Sequence, residues 1–192
     1  MKKRFEIGRQ IIHIVLGLII VALLYFNLIN KWSILGISII IAVLFFVRLK
    51  RKLPVIDEIV EPFERKRKKH HYEGPLAYFL GIFAVLAIFE KNIALASIMI
   101  MVLGDSASTI FGRLFGTLRI PWSKKTVLGS LAGMVFGYLG AWLFVPLQYA
   151  IIASFAAMIV ESFDKEFIDI NDNIMMPVAA GAVIAILKAI GL

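Results

Sequence analysis

Apolar residues run through this chain in seven long stretches, at roughly 11–27, 32–47, 75–89, 93–111, 127–145, 147–163 and 174–190, separated by shorter segments that collect the charges. At 1.5 Å of rise per residue, each stretch is about long enough, as a helix, to cross a hydrocarbon core. The pattern predicts an all-α polytopic integral membrane protein of about seven transmembrane helices, a single membrane-embedded domain over 1–192 with almost no soluble part. Charge placement supports the count independently, because cytoplasmic loops collect Lys and Arg. With the N-terminus inside, eighteen of the 21 basic residues fall on the cytosolic side, against Lys31, Lys91 and Lys188 outside. The expected arrangement is a cytosolic N-terminus and a C-terminus on the far side. Met1-Lys-Lys-Arg before an apolar run resembles a signal peptide, but no small-residue cleavage site follows, so it reads as a retained first helix.

The longest connection, between the second and third stretches, has a helical pattern of its own. Val55, Ile56, Ile59, Val60 and Phe63 recur at helical spacing, with Asp57, Glu58, Glu61 and Glu64 opposite, predicting an interfacial amphipathic helix around 53–64. The basic block Arg65–His71 behind it would attract anionic membrane lipids, at about 1 kcal/mol per basic residue near the surface. Orientation by the positive-inside effect accounts for the same block, so the net charge of +8 calls for no nucleic acid partner. Composition agrees with the pattern: 60% hydrophobic and 18% charged residues, with a mean hydropathy of +0.89, depart from globular usage in the direction of lipid. The absence of cysteine excludes disulfides, thiolate metal sites and cysteine nucleophiles. Gly129, Gly133 and Gly137, with Gly140 nearby, give the fifth helix a smooth face that the fourth is expected to approach closely. The oligomeric state is left open.

Three groups of polar residues carry chemistry. Asp105 lies in the fourth stretch, about 9 Å from its cytosolic end at helical rise. A carboxylate placed there costs up to about 3 kcal/mol on insertion scales, so it calls for a partner or an ion. A second acidic group follows the sixth stretch: Glu161, Asp164, Glu166, Asp169 and Asn171-Asp172-Asn173, of which Asn171 or Asp172 also suits a helix N-cap. Two carboxylate clusters on one membrane face have the composition that Mg²⁺ prefers, a few hard oxygens completed by substrate phosphates. Between them lies a glycine-containing loop with Arg113, Arg119, Lys124 and Lys125, running through Thr126 into the helix that carries Gly129 and Ser130. Cations beside a helix N-terminus form an anion site, and a polyphosphate is the anion expected. No Gly-x-x-x-x-Gly-Lys-Ser/Thr is present, so this is not a P-loop. Arg9, His13 and Gly17 share one face of the first helix.

These residues carry a family resemblance. Gly104-Asp105-Ser106-Ala107, Gly112-Arg113, Phe115-Gly116, Lys125-Thr126 and Gly129-Ser130 resemble the signature of the CTP-dependent polyprenol (dolichol), phytol and diacylglycerol kinases and, more distantly, of the phosphatidate cytidylyltransferases. Glu161 with Asn171-Asp172-Asn173 and Pro177 resembles the kinases' Glu and Asp-Asp-Asn-x-x-x-Pro, and Arg9-x-x-x-His13-x-x-x-Gly17 resembles their N-terminal motif. The Glu64 and Gly74-x-x-x-Tyr78-x-x-Gly81 region is similar to theirs as well. Asn171 stands where the kinases usually have Asp, and Gln10 where they have Lys. The resemblance implies an integral membrane kinase, in the plasma membrane if the source is a prokaryote, that moves the terminal phosphoryl of CTP to a lipid alcohol at the cytosolic face. It implies Asp105 and Asp172, with Asn173, as ligands of Mg²⁺. It implies Arg113, Lys124, Lys125, Thr126, Gly129 and Ser130 at the nucleotide, Arg9 and His13 at the lipid substrate, and Glu161, Asp105 or His13 as the base that takes the hydroxyl proton. Two rival readings stand beside it: a cytidylyltransferase making a CDP-lipid, and a small carboxylate-lined transporter. The transporter would need acids toward the outer side, where only Glu90 lies.

Overall fold

The computed structural model describes residues 2–50, 73–163 and 171–191. Among them are seven helices: α1 (Lys2–Tyr25), α2 (Lys31–Lys50), α3 (Glu73–Ile88), α4 (Lys91–Phe115), α5 (Val127–Ala141), α6 (Leu147–Ser162) and α7 (Asp172–Ala189). Each coincides with one of the seven apolar stretches. Three helical segments, Glu6–Tyr25, Lys91–Phe115 and Asp172–Ala189, are long and apolar enough to cross a membrane, and the apolar parts of the other four are shorter, 10–17 residues. The expected helix around 53–64, the basic block after it, and Asp164, Glu166 and Asp169 lie outside the described residues.

The fifth stretch was expected to run as one helix to residue 145, but α5 stops at Ala141. Trp142–Val145 form a turn in which Phe144 and Val145 both donate to the Ala141 carbonyl. Pro146 follows as the N-cap of α6, and the residue before a proline is steered away from helical backbone.

α4 is the centre of the bundle. Its most apolar window is 78% buried, against 28% for α1 and 33% for α7, so the other helices sheathe it. On one side Leu95, Ile98 and Val102 pack with Val21 of α1 and Ile82 and Val85 of α3. On the other, Ala96 and Ile100 pack with Ala153 and Ala157 of α6 and Ala180 and Ile184 of α7. The glycine stripe of α5 works as expected: a methyl group on Gly133 would meet the Gly104 carbonyl at 2.8 Å and one on Gly140 would meet Leu103 at 2.7 Å, so α4 and α5 pack nearly backbone to backbone.

The outward faces are apolar. Ile40, Phe46, Leu131, Leu143, Phe155 and Ile186 are each between 54% and 73% exposed or close to it, the reverse of a water-soluble surface and suited to hydrocarbon. Successive helices alternate in direction. At one end Lys91 Nζ donates to the Tyr25 carbonyl and Asn27 Oδ1, and Lys188 pairs with Glu90. The start of α1, the end of α4, the start of α5, the end of α6 and the start of α7 meet at the other end, where the acids and bases described next are gathered.

Candidate active site

Near its middle α4 loses its α-helical register: Ile100–Asp105 form a π-helical segment, and α-helix resumes at Ser106. Such widened turns are uncommon, and they frequently occur at functional sites because they redirect the side chains that follow. Asp105 is the last residue of the segment.

The loop between α4 and α5 folds back on itself. Ile120 N–H donates to the Lys125 carbonyl and Val127 N–H to that of Leu118, while Lys125 N–H donates to Ser123 Oγ. This fold turns the Lys125 side chain inward. Its Nζ donates to Glu161 Oε1 and stands 3.8 Å from Asp105 Oδ1, and Asp172 at the start of α7 adds its field. Burial alone would pull the Lys125 ammonium down. The Glu161, Asp105 and Asp172 carboxylates outweigh it and hold the pKa above the ordinary lysine value, so the group stays charged. Three helices thus aim carboxylates at one cation.

Glu161 is 2% exposed, and Ser108 Oγ lies 2.8 Å and 3.0 Å from its two carboxylate oxygens. With Lys125 on one oxygen and the Ser108 hydroxyl against both, Glu161 holds Lys125 in place. Among the basic residues of the loop region, Lys125 enters this cluster. Lys124 and Arg119 are exposed on the loop, and Arg113 turns to α1, 3.4 Å from Glu6. Glu6 is 7% exposed and also accepts from Arg9, which ties the start of α1 to the end of α4.

Thr126 and Gly129 have structural duties. Thr126 caps α5 by accepting from Gly129 N–H at 3.2 Å, and its hydroxyl sits where methyl groups on Gly112, Gly116 or Gly129 would fall. Ser130 is different, because its hydroxyl is buried with no hydrogen-bond partner. At the start of α7, Asn171 is the N-cap, accepting from Asn173 N–H, which is the role an Asp would fill as well. The Asn173 side chain donates to the Gly74 carbonyl at 3.5 Å. Gly81 lets α3 cross the backbone of Asn173 and Ile174 in direct contact.

His13 faces the same region from α1. Asp105 and Arg9 both act on it electrostatically, and its ring lies 4.5 Å from that of Tyr78 on α3. Gly17, one turn further on, makes room for Val102 and the Tyr78 hydroxyl. Asp105, His13, Lys125, Glu161 and Asp172 are therefore brought together, and Arg113 is turned to Glu6. Sequence reasoning missed Glu6, Ser108 and the buried Ser106–Gln10 hydrogen bond of 3.1 Å. The signal for Glu6 was an acid three residues before Arg9 in an otherwise basic segment.

Comparison with known proteins fits this arrangement. The chain is 29% identical over 150 residues to a CTP-dependent diacylglycerol kinase of Saccharomyces cerevisiae, an alignment covering 73% of the chain and 51% of that enzyme. It is 31% identical over 119 residues to a farnesol kinase of Arabidopsis thaliana, covering 53% of the chain and 38% of the relative. It is 29% identical over 177 residues to an uncharacterized protein of Methanocaldococcus jannaschii, covering 90% and 88%. The chain spans about half the length, or less, of the curated kinases just described. No family model and no solved structure matches.

Proposed function

We propose that this chain, a relative in sequence of CTP-dependent lipid kinases, transfers the terminal phosphoryl group of CTP to the hydroxyl of a long-chain lipid alcohol, of the isoprenoid or diacylglycerol type. The observation that carries the reading is the convergence of Asp105, Glu161 and Asp172, from three helices, on the ammonium of Lys125.

Phosphoryl transfer asks the protein mainly for positioning and charge neutralisation. The bond between the terminal phosphorus and its bridging oxygen breaks, the alcohol oxygen bonds to that phosphorus, the hydroxyl proton leaves, and CDP departs. Lys125, held by Glu161, is the cation placed to meet phosphate oxygens, and Ser130 offers an unpartnered hydroxyl beside the helix start. Asp105 and Asp172, with Asn173, would be the oxygen donors for Mg²⁺. More carboxylates than ammonium groups act at Lys125, a balance that suits a divalent cation. Among the described residues no three acids or histidines are grouped to hold a metal alone, and Mg²⁺ that takes phosphate oxygens needs only one or two carboxylates. When bound, it would neutralise charge on the phosphates. With Glu161 occupied, Asp105 or His13 takes the hydroxyl proton. The seven helices cross the bilayer with the N-terminus cytosolic, which puts this end of the bundle at the inner leaflet.

The test is transfer of labelled phosphate from CTP to farnesol, phytol or diacylglycerol by purified protein in detergent. Labelled lipid phosphate and CDP are expected, with much slower transfer in Asp105→Asn. Release of pyrophosphate would instead indicate a cytidylyltransferase, and no turnover of any nucleoside triphosphate would remove the reading.

A further inference from the structure

A pocket opens between α1, the start of α3 and the start of α7, beside the acidic cluster. Arg9, His13, Tyr78 and Asn173 supply its polar lining, and Ile12, Leu16 and Phe79 are among its apolar walls. Three of the polar atoms in these residues, Arg9 Nε, His13 Nε2 and the Tyr78 hydroxyl, are buried without any hydrogen-bond partner. Tyr78 as a whole is only 4% exposed.

A buried polar group left unsatisfied costs about 1–3 kcal/mol, and native chains rarely tolerate several in one place without a ligand or water to complete them. These three belong to side chains of one pocket whose other side-chain walls, Asn173 apart, are hydrocarbon. Tyr78 is held there by its neighbours: its ring packs on His13 at 4.5 Å and on Phe79 at 5.5 Å, and its hydroxyl fits the space left by Gly17. The missing partner is a small group that both accepts and donates, joined to an apolar chain. An alcohol hydroxyl has that chemistry; a phosphate, which mainly accepts and carries charge, suits the Lys125 side instead.

We infer that this pocket seats the head of the acceptor lipid, with the Tyr78 hydroxyl as a contact that positions the alcohol oxygen and the hydrocarbon lying along Ile12, Leu16 and Phe79. The inference rests on the kinase reading for what happens to the alcohol, but not for its binding. The pocket and the phosphate-facing cations are separate parts of one end of the bundle. Asp105 lies between them, acting on His13 on one side and on Lys125 on the other.

Tyr78→Phe removes only the hydroxyl. Because that hydroxyl has no protein partner, the variant should unfold at the same temperature as the parent or slightly higher. The KM for farnesol should rise about fivefold, the worth of one net hydrogen bond, while the KM for CTP changes less than twofold. Ile12→Trp, which fills the pocket from α1, should abolish farnesol binding while leaving CTP binding in place. Binding of labelled farnesol without nucleotide separates the two readings. If wild type binds farnesol and Tyr78→Phe binds it more weakly, yet no phosphoryl transfer occurs, the pocket stands and the kinase reading falls. If transfer proceeds and both variants keep the parent's KM for farnesol, or the KM for CTP rises equally, the pocket assignment is overturned.

Discussion

Lys125 donates to Glu161 while standing 3.8 Å from Asp105, so a loop residue is the bridge between the C-terminal end of α6 and the widened turn of α4. The cation is an internal tie as well as a candidate phosphate ligand, and these two roles respond differently to substitution.

Removing one partner of this pair should be costly. Lys125→Met alone is expected to lower stability by about 3–5 kcal/mol, because it strands the buried Glu161, and Glu161→Met by less, because Asp105 and Asp172 still face Lys125. The double variant should be less destabilised than the sum of the two, which thermal unfolding of all four proteins in detergent would reveal. Phosphoryl transfer should be lost in all three variants.

The pH response follows from the raised pKa of Lys125. A lysine held above its unfolded value of about 10.4 contributes its full stability below that pH and loses it only as pH rises through the higher folded value. Unfolding temperatures of wild type and the double variant Lys125→Met, Glu161→Met, which leaves no stranded carboxylate, should therefore differ by a constant amount from pH 6 to about 9. A gap that closes within that window would contradict the assignment.

Asp105→Asn keeps the size of the side chain and removes its charge. If Asp105 holds Mg²⁺, the variant should need roughly tenfold or more Mg²⁺ to reach half of its residual rate. Titration of rate against Mg²⁺ for both proteins reads this directly.

The glycines separate packing from propensity. A methyl group at Gly81 would overlap the backbone of α7, so Gly81→Ala should destabilise by about 1–3 kcal/mol. Gly36 has nothing within 4 Å of that position, and Gly36→Ala should be neutral or stabilising by up to about 1 kcal/mol. The order of the two unfolding temperatures is the check.

Membrane orientation has its own test. Seven crossings with the N-terminus inside predict that a reporter fused after Leu192 is active outside the cytosol. Activity only in the cytosol would mean that one of the four shorter helices does not cross.

The helices were legible because an apolar run of this length has few alternatives, and Asp105 and Glu161 stood out because carboxylates are expensive in such runs. Their meeting at Lys125 followed from helices that alternate in direction. Other features had no sequence signal. Ser108 looks like any small residue on a packed face, yet it holds Glu161. Thr126 before a helix reads equally as a cap or as a ligand, and the cap is what the structure shows, through its 3.2 Å bond to Gly129 N–H. The π-helical turn is invisible as well, since Ile100–Leu103 are apolar in either geometry. Tyr78 sat within a recognised motif, but an aromatic residue in an apolar run gives no hint that its hydroxyl will lack a partner.

That turn makes residue count more important than residue identity. Ile100, Met101, Val102 and Leu103 can be exchanged for other hydrocarbon side chains of similar bulk without changing where Asp105 points. The turn already absorbs about one residue more than a regular helix would hold, so one further residue inserted there would rotate everything downstream by about 100° about the helix axis. Asp105, Ser108 and Arg113 would swing away from Lys125, Glu161 and Glu6 together, leaving a bundle of nearly the same outline whose charged end no longer meshes.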